Sequence, residues 1–342
     1  MKSWQFLACK PDECPGRLLW LSRYKHADMY KIYKIQNNKV KLLLKPEKNC
    51  WIDIVSPTDL EIQELSRYVE ISEEIIQSVN DLEEVPKVEE IDGWQFLLLQ
   101  TPRGDEQVSH EFSVAPLGIL FGGDYLVTLS YGENEVLEYL RTKLKNIAKN
   151  SIVSTQRQPQ MILKLMLFTS KIYLRYLKQI NKKINVAQDK VEKSLKSKDI
   201  VNLMDLGKSL TYFSGYLQSN HLAYLKIARM SRFKSNEDDK ELLEDVIDEN
   251  LQAEETVKIY SQIVQSTISS YANLISNNLN ENVKFLTSFT IILMMPTLVA
   301  SIYGMNIVLP FQDHPWAFLI VTGLAVVFTV MLVVVFFRKK LF

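Results

Sequence analysis

The sequence predicts an α+β domain followed by long helices and by two C-terminal transmembrane helices. Three observations predict this architecture. Residues 1–150 alternate short β-like runs with acidic helical stretches, residues 151–283 repeat apolar residues at helical spacing, and two long uncharged apolar runs follow. The 342 residues include 40 acidic and 40 basic side chains, so the net charge indicates no nucleic-acid partner.

The first region, residues 1–150, has the pattern of a domain in which strands and helices intermix. Four runs are typical of strands: WIDIV from Trp51, WQFLLLQTP from Trp94, LGILFGG from Leu117 and YLVTLS from Tyr125. Ser56, followed by Pro57 and Asp59, indicates a helix start with carboxylates near the positive end of the helix dipole. We therefore predict a cytoplasmic domain with α/β layers.

No enzyme motif stands out in the chain. A phosphate-binding loop, a nucleophile elbow and a metal-hydrolase motif are all missing from the sequence, so we predict that the protein is not an enzyme. Cys9, Cys14 and Cys50 lack a recognisable metal-binding spacing. We interpret them as reduced cytoplasmic thiols, with a zinc site at Cys9 and Cys14 as the alternative.

The second region, residues 151–283, is predicted to form long cytoplasmic helices. Glycine becomes rare after Gln158, and a polar break near Ser194 to Asp199 separates the first long helix from the second. A third helix begins near Glu241 and meets no proline before Pro296, so it runs for about 90 Å from the cytoplasm into the membrane. A helix of that length needs neighbours, which predicts an oligomer.

Charge is segregated along these predicted helices. Arg157 to Lys198 holds eleven basic and two acidic residues, whereas Glu237 to Glu255 holds ten acidic residues and one basic residue. Such runs are usually solvated helix faces. The acidic block can also pair with a basic helix or bind divalent cations, and the sequence leaves these alternatives open.

The C-terminal region contains two runs without Asp, Glu, Lys or Arg, Phe285 to Tyr303 and Trp316 to Phe337. Each is close to the roughly 20 apolar residues that a membrane-spanning helix needs. We predict a first transmembrane helix at 284–306, an external loop at 307–315, a second transmembrane helix at 316–337 and a basic tail at 338–342. Lys and Arg flank the cytoplasmic ends and are missing from the loop, so both termini are predicted to be cytoplasmic and the protein to be multi-pass in the cell membrane.

One face of the first transmembrane helix carries polar side chains. Six residues fall within a sector of about 100° on a helical wheel: Asn280, Thr287, Thr290, Met294, Thr297 and Ser301. This stripe suits the wall of a narrow pore, and ordinary packing between membrane helices explains it equally well. Neither span contains an ionisable residue of the kind that proton-coupled carriers use, which favours passive, channel-like movement.

The tetrapeptide Tyr303-Gly304-Met305-Asn306 ends the first span, and a second span ending RKKLF follows after a short loop. This arrangement resembles the CorA family of magnesium transporters. Further similar segments are Trp51-Ile52-Asp53 with SPTDLEI, VPKVE from Val85, DYLVTLS from Asp124 and LLEDVIDEN from Leu242. The resemblance covers nearly the whole chain. It implies a funnel-shaped homopentamer in the lipid bilayer, with five first-span helices around a central pore.

The resemblance also implies an ion-selecting ring at the tetrapeptide. Mg²⁺ dehydrates reluctantly, so oxygen acceptors would recognise it with its water shell. We expect five Asn306 side-chain carbonyls to form the ring beside the Gly304 backbone carbonyls, with Tyr303 and Met305 bracing the turn. A helix C-terminal cap is the alternative role of Asn306. By the same resemblance, Leu286 lies at a hydrophobic constriction of the pore.

Regulation by intracellular Mg²⁺ is a further implication of the resemblance. Carboxylates of neighbouring subunits would bind the ion and hold the closed state. Asp245 in LLEDVIDEN matches one of these carboxylates, but Ser78 stands where its acidic partner is expected. Asp81, Glu83 and Glu84 lie close to Ser78 in sequence, and we expect them to substitute for that partner.

These observations predict a channel for Mg²⁺, and for Co²⁺ and Ni²⁺, with Mg²⁺ as both the transported and the regulatory ion. The loop after Asn306 departs from the family pattern, because it holds only Asp313, next to His314, where members often place glutamates. The departure leaves room for a different metal preference. A zinc-transporting relative with the same motif is one alternative function. A membrane-anchored scaffold or sensor that moves no ions is the other.

Overall fold

The computed structural model describes residues 30–36, 39–69, 71–104, 112–145, 155, 157–193, 197–305 and 315–339. The chain forms two compact units. The first comprises residues 1–189 and 198–264, and the second comprises residues 190–197 and 265–342.

A seven-stranded sheet forms the centre of the first unit. Its strands are β1 (Tyr30–Gln36), β2 (Lys39–Leu43), β3 (Cys50–Val55), β4 (Lys87–Ile91), β5 (Trp94–Gly104), β6 (Phe112–Phe121) and β7 (Tyr125–Ser130), in the order β2-β1-β3-β7-β6-β5-β4. Neighbouring strands are antiparallel except for β3 and β7, which are parallel. The four strands predicted from the sequence are β3, β5, β6 and β7, while β1, β2 and β4 were not predicted.

Two short helices, α1 (Asp59–Leu65) and α2 (Glu73–Asn80), pack on the sheet. Their apolar residues Leu65, Ile75 and Val79 join Ile52 and Phe96 in one buried core. Long stretches of β5, β6 and β7 are buried at consecutive positions, so both faces of the sheet are covered there.

The predicted helix start at Ser56 is wrong by two residues. Thr58 is the N-cap of α1 and forms a capping box with Glu61, whose carboxylate accepts the Thr58 amide hydrogen at 2.9 Å. Ser56 instead has a φ of 48°, in the left-handed region, and therefore lies outside the helix. The predicted carboxylates in the first turn, Asp59 and Glu61, are present.

A buried ion pair joins the sheet to helix α3 (Glu135–Lys145). Asp53 of β3 is only 2% exposed, and its carboxylate accepts a hydrogen bond from Arg141 Nε at 2.6 Å. Thr128 donates a second hydrogen bond to Asp53 at 3.1 Å and accepts one from the Trp51 indole at 2.9 Å. The buried carboxylate is thus both paired and hydrogen-bonded, as burial of a charge requires.

Two long helices, α4 (Gln158–Lys193) and α5 (Ser197–Arg229), contact β5 through side chains. Gln100 lies beyond the end of the β4–β5 pairing, which stops at Leu98. The Asn220 side chain of α5 supplies the partners that β4 does not, because it accepts from the Gln100 amide at 3.1 Å and donates to the Gln100 carbonyl at 2.8 Å. Tyr173 of α4 also donates to that carbonyl, at 3.1 Å.

The third long helix, α6, is continuous from Glu237 to Tyr303. Its 67 residues confirm the predicted unbroken helix through Pro296 and give it a length of about 100 Å. The predicted polar break before α5 is too long, because α5 already begins at Ser197. The last helix, α7, spans Ala317–Arg338.

Part of the acidic block pairs with a basic residue, one of the alternatives that the sequence left open. Arg157, just before α4, contacts Asp239 at 3.1 Å and Asp238 at 3.5 Å, both in the first turn of α6. Asp239 is buried, so this pair ties the start of α4 to the start of α6.

Candidate functional site

In the part of the chain that the structure describes, two helices are long and apolar enough to cross a membrane. They are α6, through its C-terminal part, and α7 from Phe318. Helix α6 ends at Tyr303, and α7 begins at Ala317. The bounds of the spans themselves, 284–306 and 316–337, stay predictions.

One face of α6 packs on α7. Ser288 and Val299 of α6 are buried, as is Ala325 of α7. An apolar cavity of about 280 Å³ lies along the same seam, lined by Met295, Leu298, Val299, Ile302, Tyr303, Leu324 and Phe328. Small residues let membrane helices approach closely, so Ser288 and Ala325 suit this contact. Ser288 was not among the residues predicted from the sequence, although its small size was an available signal.

The predicted pore stripe lies on a different face of α6. All seven residues are exposed in the single chain: Asn280, Leu286, Thr287, Thr290, Met294, Thr297 and Ser301. At about 100° per residue, the centre of the stripe lies about 140° around the helix from the buried Ser288 and Val299. Helix α7 therefore leaves this face uncovered and available to other chains or to water. Its role as a pore wall stays a prediction.

Two hydroxyls of the stripe donate hydrogen bonds within their own helix. Thr290 donates to the Leu286 carbonyl at 2.8 Å, and Thr297 donates to the Leu293 carbonyl at 3.3 Å. These are hydrogen bonds from a side-chain hydroxyl to the backbone of the same helix, as expected if the stripe serves ordinary helix packing. Each uses the hydroxyl hydrogen and leaves oxygen lone pairs to accept hydrogen bonds from water.

The predicted selectivity turn is described up to Met305. The Gly304 amide donates to the Ala300 carbonyl at 2.9 Å, and the Met305 amide donates to the Ile302 carbonyl at 3.3 Å. A Cβ atom at Gly304 would lie 3.3 Å from the Ala300 oxygen, so a side chain would crowd the last carbonyls of the helix. Tyr303 lines the seam with α7, whereas Met305 is 54% exposed.

Asn306, the central residue of the predicted selectivity ring, lies outside the described residues. So do Asp313 and His314 of the connecting loop. The selecting role of Asn306 stays a prediction.

The acidic residues predicted to regulate the protein have individual local partners. Asp81 accepts a hydrogen bond from the Glu83 amide at 2.9 Å at the end of α2. Glu84 pairs with Lys87 at 3.1 Å. Burial would lower the pKa of Lys87, but its hydrogen bonds with Glu84 and Glu89 outweigh this effect and raise the pKa. A metal ion bound by Glu84 would therefore compete with Lys87.

Asp81 and Glu83 face helix α5 near Tyr216. The pKa of Tyr216 is raised by burial first and then by the negative charges of Glu83 and Asp81. Asp245 is exposed on α6. Among the described residues, no group of three or more His, Cys, Asp and Glu can hold a metal ion, so one chain does not assemble the predicted regulatory site. The predicted site lies between subunits and stays a prediction.

Known proteins resemble this chain over most of its length. The cobalt/magnesium transport protein CorA of Methanocaldococcus jannaschii is 26% identical over 290 residues, which cover 84% of this chain and 90% of that protein. A protein of the same name from Thermotoga maritima is 21% identical over 348 residues, with 98% of each chain covered. The complete structure of the CorA magnesium transporter from M. jannaschii matches with a TM-score of 0.81 at 24% identity, covering 92% of this chain and 99% of that one.

The fold of this chain is therefore the fold of a full-length CorA protein. The family described as CorA-like Mg²⁺ transporter protein matches residues 46–340, which include strands β3 to β7, the long helices and both apolar helices. The sequence resemblance at Tyr303-Gly304-Met305-Asn306 is confirmed at the level of the family. The chain belongs to the CorA-like Mg²⁺ transporter family.

Proposed function

We propose that this protein is a Mg²⁺ channel of the cell membrane that also passes Co²⁺ and Ni²⁺. Proteins of this family are ion transporters rather than enzymes. The observation that carries the proposal is the uncharged, oxygen-bearing stripe of α6, which lies on the face that α7 leaves uncovered and leads to the turn at Gly304. Five copies of this face, arranged around one axis, would form a continuous pore.

Selection takes place at the turn that ends α6. Five Asn306 amide oxygens and the nearby Gly304 carbonyls accept hydrogen bonds from the water shell of Mg²⁺, which the ion releases reluctantly. Thr290 and Thr297 continue this role deeper in the pore, because their oxygens can still accept hydrogen bonds from water. Leu286 and Met294, which are 63% and 61% exposed in the single chain, narrow the pore with apolar rings.

The driving force is the membrane potential. Neither predicted span, Phe285 to Tyr303 or Trp316 to Phe337, contains an Asp, Glu, Lys or Arg that could couple transport to protons. A potential of 100 mV, negative inside, favours entry of a doubly charged ion by about 4.6 kcal/mol. With both termini cytoplasmic, Mg²⁺ moves from the external loop towards the long helices.

Intracellular Mg²⁺ closes the pore by binding between subunits. Asp245 of one chain, with Asp81, Glu83 and Glu84 of its neighbour, holds the ion and so relieves repulsion between carboxylates. Asp245 is exposed on α6 and available for this contact. When Mg²⁺ falls, the carboxylates repel one another, the long helices separate and the pore opens.

Reconstitution into liposomes tests the proposal. The purified chain is expected to admit Mg²⁺ when a negative internal potential is imposed, as measured with an entrapped Mg²⁺ dye, and Asn306→Ala is expected to abolish this selective entry. Asn185→Ala on the exposed surface of α4 serves as the matched control. Entry that Asn306→Ala leaves unchanged would refute the selecting role. Absence of any flux would identify a non-conducting scaffold, and faster Zn²⁺ than Mg²⁺ entry would identify a zinc transporter.

A further inference from the structure

A histidine and a carboxylate face each other where α5 packs on α6. His221 Nδ1 of α5 lies 3.8 Å from Glu254 Oε1 of α6, and the two side chains are 19% and 13% exposed. This distance is too long for a hydrogen bond. Both groups are therefore partly withdrawn from water and aimed at each other without direct contact.

Asn250, one helical turn before Glu254, fixes the position of the carboxylate. Its side-chain nitrogen donates to Glu254 Oε1 at 2.9 Å and to the Leu217 carbonyl at 3.2 Å. Asn250 is fully buried, so its amide is held in one orientation by both helices. Asn250 therefore orients the Glu254 carboxylate, in the way that neighbouring residues orient metal-binding carboxylates in many proteins.

Two polar atoms of this cluster are buried without a hydrogen-bond partner in the part of the chain that the structure describes. Among the described residues, neither His221 Nδ1 nor Asn250 Oδ1 has a hydrogen-bond partner. Buried polar atoms in proteins are normally hydrogen-bonded, and exceptions call for an explanation such as a bound ion. An imidazole nitrogen, an amide oxygen and a carboxylate together offer lone pairs that a cation can satisfy.

We propose that His221 and Glu254 bind a divalent transition-metal ion, with Asn250 as a positioning residue. Metal–nitrogen and metal–oxygen bonds of about 2.0–2.2 Å place neighbouring ligand atoms about 3.0–3.4 Å apart. The observed 3.8 Å therefore needs only a small side-chain rotation to become a chelating pair. Water completes the coordination, and one such water donates a hydrogen bond to Asn250 Oδ1.

The imidazole ligand determines which metal ions the site prefers. Imidazole nitrogen suits Co²⁺, Ni²⁺, Cu²⁺ and Zn²⁺, whereas Mg²⁺ prefers oxygen ligands and keeps its water. The site therefore discriminates against Mg²⁺, in contrast to the all-oxygen sites of the proposed pore and regulatory interface. Its occupant would cross-link α5 to α6, and its binding does not depend on whether the protein conducts ions.

Equilibrium dialysis of Co²⁺ against the full-length protein tests this site. Mg²⁺ in large excess occupies the oxygen-only sites, and about one Co²⁺ per chain is expected to remain bound. His221→Ala and Glu254→Gln are expected to lose this ion, and Asn250→Ala is expected to weaken its binding by about tenfold. The matched controls, Glu255→Gln on the same helix and His110→Ala elsewhere, are expected to bind as the parent does.

Two outcomes would overturn the proposal. The first is the absence of Mg²⁺-resistant Co²⁺ binding to the parent chain, and the second is binding that His221→Ala leaves intact. Pulsed electron paramagnetic resonance of Cu²⁺ bound to the parent provides a test that needs no variant. The spectrum is expected to show modulation from the remote nitrogen of a coordinated imidazole. A spectrum in which the bound Cu²⁺ has no imidazole nitrogen ligand would contradict the site.

Discussion

Replacing Asn220 with alanine would remove the side chain that bridges α5 and β5. The Gln100 amide would lose its partner at 3.1 Å, and the Gln100 carbonyl would lose the hydrogen bond that Asn220 donates at 2.8 Å. The carbonyl keeps its bond from Tyr173. An unpaired buried amide costs about 1–3 kcal/mol and the lost second bond about 1 kcal/mol, so we expect a destabilisation of about 2–4 kcal/mol.

Thermal unfolding of the full-length protein in detergent measures this effect. For a domain of 150–250 residues each 1 kcal/mol lowers Tm by about 2–4 °C, so Asn220→Ala should lower Tm by about 4–16 °C. Asn278→Ala, which truncates an exposed asparagine of α6, is the matched control and should change Tm by less than about 2 °C. An equal Tm for Asn220→Ala and the parent would show that the bridge contributes no net stability, and the reasoning from the buried Gln100 amide would fail.

Three further predictions concern the sheet, the pore and the regulatory interface. Asp53→Ala leaves Arg141 half-buried and unpaired and should destabilise the protein by about 3–5 kcal/mol in the same unfolding assay, whereas an unchanged Tm would contradict the ion-pair argument. Thr290→Val should lower Mg²⁺ flux into liposomes by about tenfold, since one acceptor bond to hydrated Mg²⁺ is worth about 1.4 kcal/mol. Thr329→Val, which removes a similar hydroxyl from α7, should leave flux unchanged, and equal losses in both variants would argue against the pore face. Asp245→Lys should remove inhibition of flux by internal Mg²⁺, and retained inhibition would exclude Asp245 from the regulatory site.

The membrane helices and the long helices could be predicted because their signals are local. Uncharged runs of membrane-spanning length and the proline-free stretch before Pro296 directly indicate α6 and α7. The strands β1 and β4 were missed because YKIYKIQ and KVEEI mix lysine and glutamate into short runs that lack the continuous apolar character of β5 and β6. Both are edge or near-edge strands, where charged residues are common.

The start of α1 shows a different limit. Ser56 and Thr58 are both followed three residues later by a carboxylate, so the local pattern fits either cap. The structure selects Thr58 because the backbone of Ser56 bends to a positive φ after β3. Such a choice depends on how the strand ends, which the sequence pattern does not contain.

The polar face of α6 was predictable as a stripe, but its partner was not. Helical periodicity placed Thr290 and Met294 together, whereas the burial of Ser288 depends on how the apolar helices pack. Contacts between residues that are far apart in the sequence left no local pattern from which they could be predicted. Gln100 and Asn220 are 120 residues apart, and they meet only because the long helices return to the sheet.

The continuity of α6 has a mechanical consequence. One helix carries both the carboxylates near Asp245 and the hydroxyls near Thr290, with no break in its assigned secondary structure. In the proposed gating, the α6 backbone therefore links the proposed regulatory residues directly to the proposed pore face of the same chain.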